Sequence, residues 1–293
     1  MEGVIWGLLG ALLIGGSDVV ARVTAQKVSL SVLFLAVMGL SFVAMTVMLT
    51  VTGQWPHWHA YAWLISAISG LLNLVALYFL YQALARGPVS VASPAASSFV
   101  VILVGMNVFA GQPYSWLQVV AAVTVFFGVA MLAQRDNAID DAADFSAEWL
   151  RRTALFGIAA AAAISLRMFL AQEASDELGA VASLYLNRLF ALLGVILILI
   201  WVSFRAGQLS WPQGSRMRWL VALQSLLETL ALTAFLFGSA GTGRIGAAIG
   251  FAAFAAVSAI IARVWLGEPV GVRRSLWIAV VAGGVALAAA GGP

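Results

Sequence analysis

The sequence predicts an all-α integral membrane protein: ten transmembrane helices, arranged as two inverted five-helix repeats around a central cavity. Three observations carry that prediction. Only 9% of the 293 residues are charged while 63% are hydrophobic, with a mean hydropathy of +1.02, whereas a soluble domain needs about 25% charged residues to face water. Apolar runs of the roughly 20 residues that cross a hydrocarbon core recur along the whole chain. Two short motifs return at one fixed offset in the second half.

The spans are placed at 4–25, 30–52, 61–85, 88–110, 114–133, 153–174, 179–204, 216–239, 243–266 and 271–290. Each must be a helix, because in lipid a single segment satisfies its own backbone only that way. The first carries Asp18 and Arg22 one helical turn apart, and the second is apolar almost throughout. The third bears Asn73, Tyr78, Tyr81 and Gln82, and the fourth opens on the small residues "VASPAASS" around Pro94. The fifth follows Gly111-Gln112-Pro113 and the tenth follows Gly267-Glu268-Pro269. Arg167 lies within the sixth span, Asn187 and Arg188 within the seventh, and Gln224 and Glu228 within the eighth. The ninth begins "GRIGAAIG", where Gly246 and Gly250 allow close helix approach. The start, "MEGVIWGLLG", lacks the basic stretch of a cleavable signal, so the first run is expected to remain a span. Short connections make sequential helices antiparallel neighbours. The exception is the polar stretch "AQRDNAIDDAADFSAEWLRR", which divides the chain into 1–134, a connecting loop at 135–152, and 153–293.

Gly128-Val129 and Gly284-Val285 repeat the 156-residue offset of the two Gly-x-Pro motifs, and Pro94 falls on Gly250 at the same spacing. Leu71-Leu72-Asn73 answers Leu226-Leu227-Glu228 with a one-residue slip. An odd number of spans per half turns the second half upside down, the architecture of secondary transporters with a midplane binding site. The five-helix unit ending in Gly-Glu-Pro and Gly-Val, together with "YQALARGPVSVASP" at 81–94, resembles the EamA-type members of the drug/metabolite transporter superfamily. The resemblance implies a cavity formed by the first four helices of each half, peripheral fifth and tenth helices, and export of amino acids or other small metabolites. The second half departs from the pattern at Gly250, and the first has Gln112 in the place of the glutamate.

Basic residues fall on alternate connections: Arg22, Lys27, Arg86, Arg135, Arg151, Arg152, Arg205, Arg216, Arg218, Arg273 and Arg274 against Arg244 alone on the other side. The positive-inside rule puts the basic side in the cytoplasm and both termini outside the inner membrane; the resemblance implies the reverse. With a net charge of +3 and no basic cluster interleaved with aromatics, nucleic acid is not an expected partner. The absence of cysteine removes disulfides, thiolate nucleophiles and Cys-based metal centres. His57 and His59, set among Trp55, Trp58 and Trp63, read as interfacial anchoring rather than a metal site. No cofactor is expected.

A charge at mid-span costs about 2.5–3.5 kcal/mol on insertion scales, so buried ionisable residues face protein or a water-filled cavity. Asp18 and Arg22 are spaced to pair as a structural bridge. Asp18, Arg22, Arg167, Arg188 and Glu228 comprise two acids against three arginines, and the surplus cation suggests a ligand with an anionic group. Asn73, Tyr78, Tyr81, Gln82, Gln224, Asn107 and Asn187 are further candidates to line the same space. Pro94 and Gly250 are read either as close-packing sites or as a pair of hinges. The expected function is secondary transport, by alternating access, of a small zwitterionic or anionic metabolite resembling an amino acid. Protons are a candidate coupling ion with Glu228 as their carrier, and the chain is expected as a monomer or homodimer. A lipid flippase, a receptor and an intramembrane enzyme are the alternatives. The last is disfavoured by the absence of intramembrane histidine, H-E-x-x-H and G-x-S-x-G.

Overall fold

A computed structural model describes residues 1–132, 147–204, 209–268 and 271–291. Arg135, Arg205, Pro269 and most of the 135–152 connection lie outside these residues. The elements are helices: α1 (Glu2–Thr24), α2 (Leu30–Thr52), α3 (Ala60–Arg86), α4 (Val89–Ser97), α5 (Phe99–Phe109), α6 (Trp116–Leu132), α7 (Ala147–Leu178), α8 (Ala180–Phe204), α9 (Gly214–Gly238), α10 (Arg244–Ala252), α11 (Phe254–Ile261) and α12 (Val272–Ala290). A single π-turn, Ala262–Leu266, extends α11. Taking α4 with α5 as one span and α10 with α11 as another, nine spans among the described residues are long and apolar enough to cross a membrane. The tenth, Trp116–Met131, is shorter. The protein is an all-helical, multi-pass membrane protein, and its spans fall within a few residues of those expected.

Local contacts sort the connections into two ends. At the basic end, Ser29 meets Ser210 through backbone and side chain, Trp149 at the start of α7 donates to the Arg86 carbonyl at the end of α3, and Glu268 accepts from the Val89 and Ser90 amides at the start of α4. At the opposite end lie both ends of the described chain. Gly3 approaches Gly243, and Gly291 approaches Leu117. His59 caps α3 there by accepting the Ala62 amide on its Nδ1, a role the anchoring interpretation did not foresee. Helix α1 therefore ends at the side where α7 begins, and the two run in opposite senses.

The main packing partners follow an exchange of each span with the one five places later. The first span packs on the eighth as the third packs on the sixth; the ninth packs on the first as the fourth packs on the sixth. The second meets the seventh, the fourth meets the ninth, and the fifth meets the tenth. In that last pair, a Cβ on Gly128 would lie 2.9 Å from a Val281 methyl and one on Gly284 would lie 2.8 Å from a Val125 methyl. These two contacts interconvert under the 156-residue offset found in the sequence. Helices α6 and α12 sit at the edge of the bundle, where α12 buries only 28% of its apolar window.

The fourth and ninth spans are each interrupted by a single turn residue, Ser98 and Ala253, whose backbone angles stay in the right-handed helical region. Near the first break the Ser98 hydroxyl donates to the Ala95 carbonyl at 2.8 Å, competing with the helical ladder, and Pro94 supplies no amide. Near the second, the Ala253 amide bonds Gly250 three residues back, a tightened turn. The interruptions thus fall three or four residues after Pro94 and Gly250 rather than at them. Gly250 itself is a close-packing site: a Cβ there would stand 2.5 Å from the Val4 carbonyl oxygen of α1.

Candidate functional site

The centre of the bundle holds a narrow cavity with about 40 Å³ open to water. That is room for about three waters. Polar groups enter it from α1 (Ser17, Asp18), α3 (Asn73, Tyr81), α7 (Arg167) and α9 (Glu228). The remaining wall is apolar, and includes Leu77, Ile164, Leu232, Phe251 and Phe254. Phe251 and Phe254 flank the Ala253 break, and both pack on Phe99, the residue after the Ser98 break. Movement at either interruption therefore changes the cavity wall.

A continuous polar network runs across this space. Arg188 is fully buried and donates through Nη2 to Glu228 Oε1 at 3.1 Å. Its Nη1 reaches the Met38 sulfur, which also receives the Asn73 amide. Tyr81 donates to Glu228 Oε2 at 3.4 Å and accepts from Gln224, whose oxygen takes the Thr24 hydroxyl. A buried ion pair survives only when its hydrogen bonds are nearly complete, since desolvating two charges costs several kcal/mol per ion. Tyr81 supplies the second oxygen of Glu228 with a partner. Asn187 stands beside this network and donates to Ser69.

Arg167 behaves differently. It is 7% exposed, lines the cavity, and its side chain makes no hydrogen bond or ion pair among the described residues. It lies within Coulombic reach of both Arg188 and Glu228. Asp18, 2% exposed, accepts the Ser93 hydroxyl at 2.6 Å and the Ser258 hydroxyl at 3.3 Å. Its partners come from α4 and α11, the two interrupted spans.

Three expectations need correction. Arg22 does not bridge to Asp18: it reaches the carbonyls of Leu84 and Ala85 at 2.6 and 2.9 Å, closing the C-terminal end of α3. That end sits near the interface, and carbonyls without helical partners attract a guanidinium. Asp18, Glu228 and Arg167 line the cavity, and Arg188 lies behind Glu228 as its ion-pair partner, so no surplus cation remains around it. Tyr78 is 45% exposed and stacks edge-on against Phe79, away from the cavity. Gln82 is partly buried but is not among the lining residues, and its carbonyl receives Arg86.

Three acids to which sequence reasoning assigned no role tie the ends shut. At the opposite end, Arg244 at the start of α10 pairs with Glu173 and Asp176 near the end of α7. Beneath it, Gln172 connects Asn107 of α5 to Ser239 after α9. At the basic end Glu268 caps α4, an acid on a helix N-terminus. Among the described residues no three His, Cys, Asp or Glu side chains gather as a metal site.

A polytopic helical bundle with a charged, mostly apolar cavity at its centre, tied at both ends, has the form of a membrane transporter. Residues 1–134 match the model of the EamA-like transporter family, the family that the sequence motifs resemble. No curated protein matches the sequence. A solved crystal structure of a protein superposes with a TM-score of 0.71 at 18% identity, covering 98% of this chain and 96% of the other. At that identity the likeness speaks for the fold along the full length.

Proposed function

We propose that this transporter exports a small zwitterion with an apolar side group, resembling an amino acid, by alternating access across an inner membrane. The observation that carries the reading is Arg167, a buried guanidinium aimed into the cavity with no protein partner. An unpaired buried charge is expensive, and a planar guanidinium matches a carboxylate bidentately. Asp18 is the acid without an arginine of its own, and it suits the substrate ammonium. Because the two acids at the cavity are balanced by Arg167 and by Arg188 behind Glu228, a net-neutral ligand with separated charges fits better than a plain anion. The apolar wall suits a hydrocarbon or aromatic side group.

The exchange pattern of helix packing supports two duplicated units, 1–134 and 153–293, joined by the 135–152 connection and related by an in-plane two-fold. An amino-acid-sized solute needs more room than the cavity gives, so the fourth and ninth spans must move. The breaks at Ser98 and Ala253, next to Pro94 and Gly250, are suited to act as their hinges. Proton coupling would use the same acids: one takes a proton as the substrate leaves and releases it as the substrate returns. The decisive experiment is uptake of a labelled amino-acid panel into proteoliposomes of the purified chain. Uptake of an apolar amino acid that falls at least ten-fold in Arg167→Lys and further in Arg167→Ala is the expected result. No transport of any zwitterion, or full activity in both variants, overturns the reading in favour of a flippase, receptor or enzyme.

A further inference from the structure

A second cavity is roomier than the central one. At the basic end, a crevice with about 1200 Å³ of empty space, about 570 Å³ of it open to water-sized spheres, lies between the end of α1, the start of α9 and the π-turn after α11. Lys27 and Arg216 supply its charge; Ser210 and Gln213 are polar, and Trp211 and Trp265 form its rim. Among the described residues neither Lys27 nor Arg216 is in an ion pair. Arg216 and Leu220 belong also to a second, almost wholly apolar groove that runs along the outer face of α9 past Trp219 and Leu223 to Leu226. The two cavities therefore join at one arginine, charged and wet on one side and hydrocarbon-like on the other.

We propose that crevice and groove together bind one anionic phospholipid. Its phosphate sits between Lys27 and Arg216, its polar head against Ser210 and Gln213, and one acyl chain along Trp219, Leu223 and Leu226. Charge complementarity selects an anionic head. The length of groove below Arg216, about two helical turns from Trp219 to Leu226, matches a chain and not a soluble ion. Trp211 and Trp265 line the crevice and Trp219 the groove, and tryptophan favours the depth at which headgroups meet acyl chains. Basic residues gather at this end of the bundle, the end that attracts anionic leaflets. The site touches α1 and α9, which carry Asp18 and Glu228, so an occupied crevice braces the two helices that hold the central acids.

The test follows thermal unfolding of the purified full chain in neutral detergent while one of three probes is added: phosphatidylglycerol, phosphatidylcholine or glycerol 3-phosphate. Phosphatidylglycerol is expected to raise the midpoint, with the other two without effect. Lys27→Gln with Arg216→Gln should weaken its apparent affinity by roughly thirty-fold, about five-fold per charge near a membrane surface. The single Lys27→Gln variant gives the five-fold reading should the double variant fail to fold. Arg218→Gln, an equal loss of charge at the same end but outside the crevice, should change nothing. An equal response to phosphatidylcholine, an equal response to glycerol 3-phosphate, or an undiminished response in the Lys27 and Arg216 variants overturns the proposal. So does a loss in Arg218→Gln as large as that in Lys27→Gln.

Discussion

Arg167 and Arg188 are both buried arginines, yet one is held by protein and the other is not. Removing Arg188 strands Glu228 without its cation, so Arg188→Ala should destabilise the fold by about 3–5 kcal/mol, seen as a lowered unfolding midpoint. Replacing both partners, Arg188→Met with Glu228→Gln, should recover most of that loss, because apolar packing often equals a buried pair. Arg167→Gln removes a charge with no protein partner, so it should leave the midpoint unchanged or raise it while abolishing zwitterion binding. A midpoint that falls as far as in Arg188→Ala would assign Arg167 to the scaffold. Glu228→Gln keeps the shape and one hydrogen bond from Tyr81 but cannot titrate. It is expected to exchange substrate across the membrane without concentrating it against a proton gradient, and surviving gradient-driven transport would refute Glu228 as the coupling acid. The central charges were legible in the sequence because Asp18, Arg167, Arg188 and Glu228 interrupt apolar runs. Their pairing was not. Asp18 and Arg22 share a helix face, but the exposed carbonyls at the end of α3 compete for Arg22, and two serines from other spans satisfy Asp18.

At the scale of elements, the fourth and ninth spans are each locked at the end where they begin, by different chemistry. Glu268 caps the start of α4. The first-half counterpart of Glu268 is Gln112, and at the start of α10 the ion pairs of Arg244 with Glu173 and Asp176 stand instead. The departure at Gln112 was visible in the sequence, but its replacement was not, because acids near a helix end are unremarkable there. The two locks make a differential prediction. Since the chain contains no cysteine, Ser17→Cys reports access to the cavity cleanly. Arg244→Gln should speed its modification by an impermeant thiol reagent added on the side of the chain ends several-fold, with little change from the basic side. Glu268→Gln should do the opposite. Equal rates from both sides in both variants would show that these contacts staple helices without gating the cavity. The interruptions lay beyond sequence reasoning in detail: Pro94 and Gly250 marked the right neighbourhood, but the breaks at Ser98 and Ala253 depend on which carbonyl each turn recruits.

For the molecule as a whole, the spans were readable because they follow from apolar length. Its orientation in the membrane is a separate question, decided by charge outside the bilayer. Among the described residues the structure places Lys27, Arg86, Arg151, Arg152, Arg216 and Arg218 at one end, and Arg244, the one Lys or Arg near the other, is neutralised by two acids. That neutralisation sharpens the asymmetry, since a paired arginine deep in the fold is a poor topogenic signal, while basic residues in exposed connections beside a span are strong ones. The basic end should therefore face the cytoplasm and the chain ends the outside, against the orientation implied by the family resemblance. Two exposed residues in short connections test this: Gln26 at the basic end and His57 at the other. In intact cells, Gln26→Cys should resist an impermeant thiol reagent until the membrane is permeabilised, while His57→Cys should react at once. The reverse pattern would mean that insertion is governed by something other than loop charge, and would turn the phospholipid crevice toward the outer leaflet.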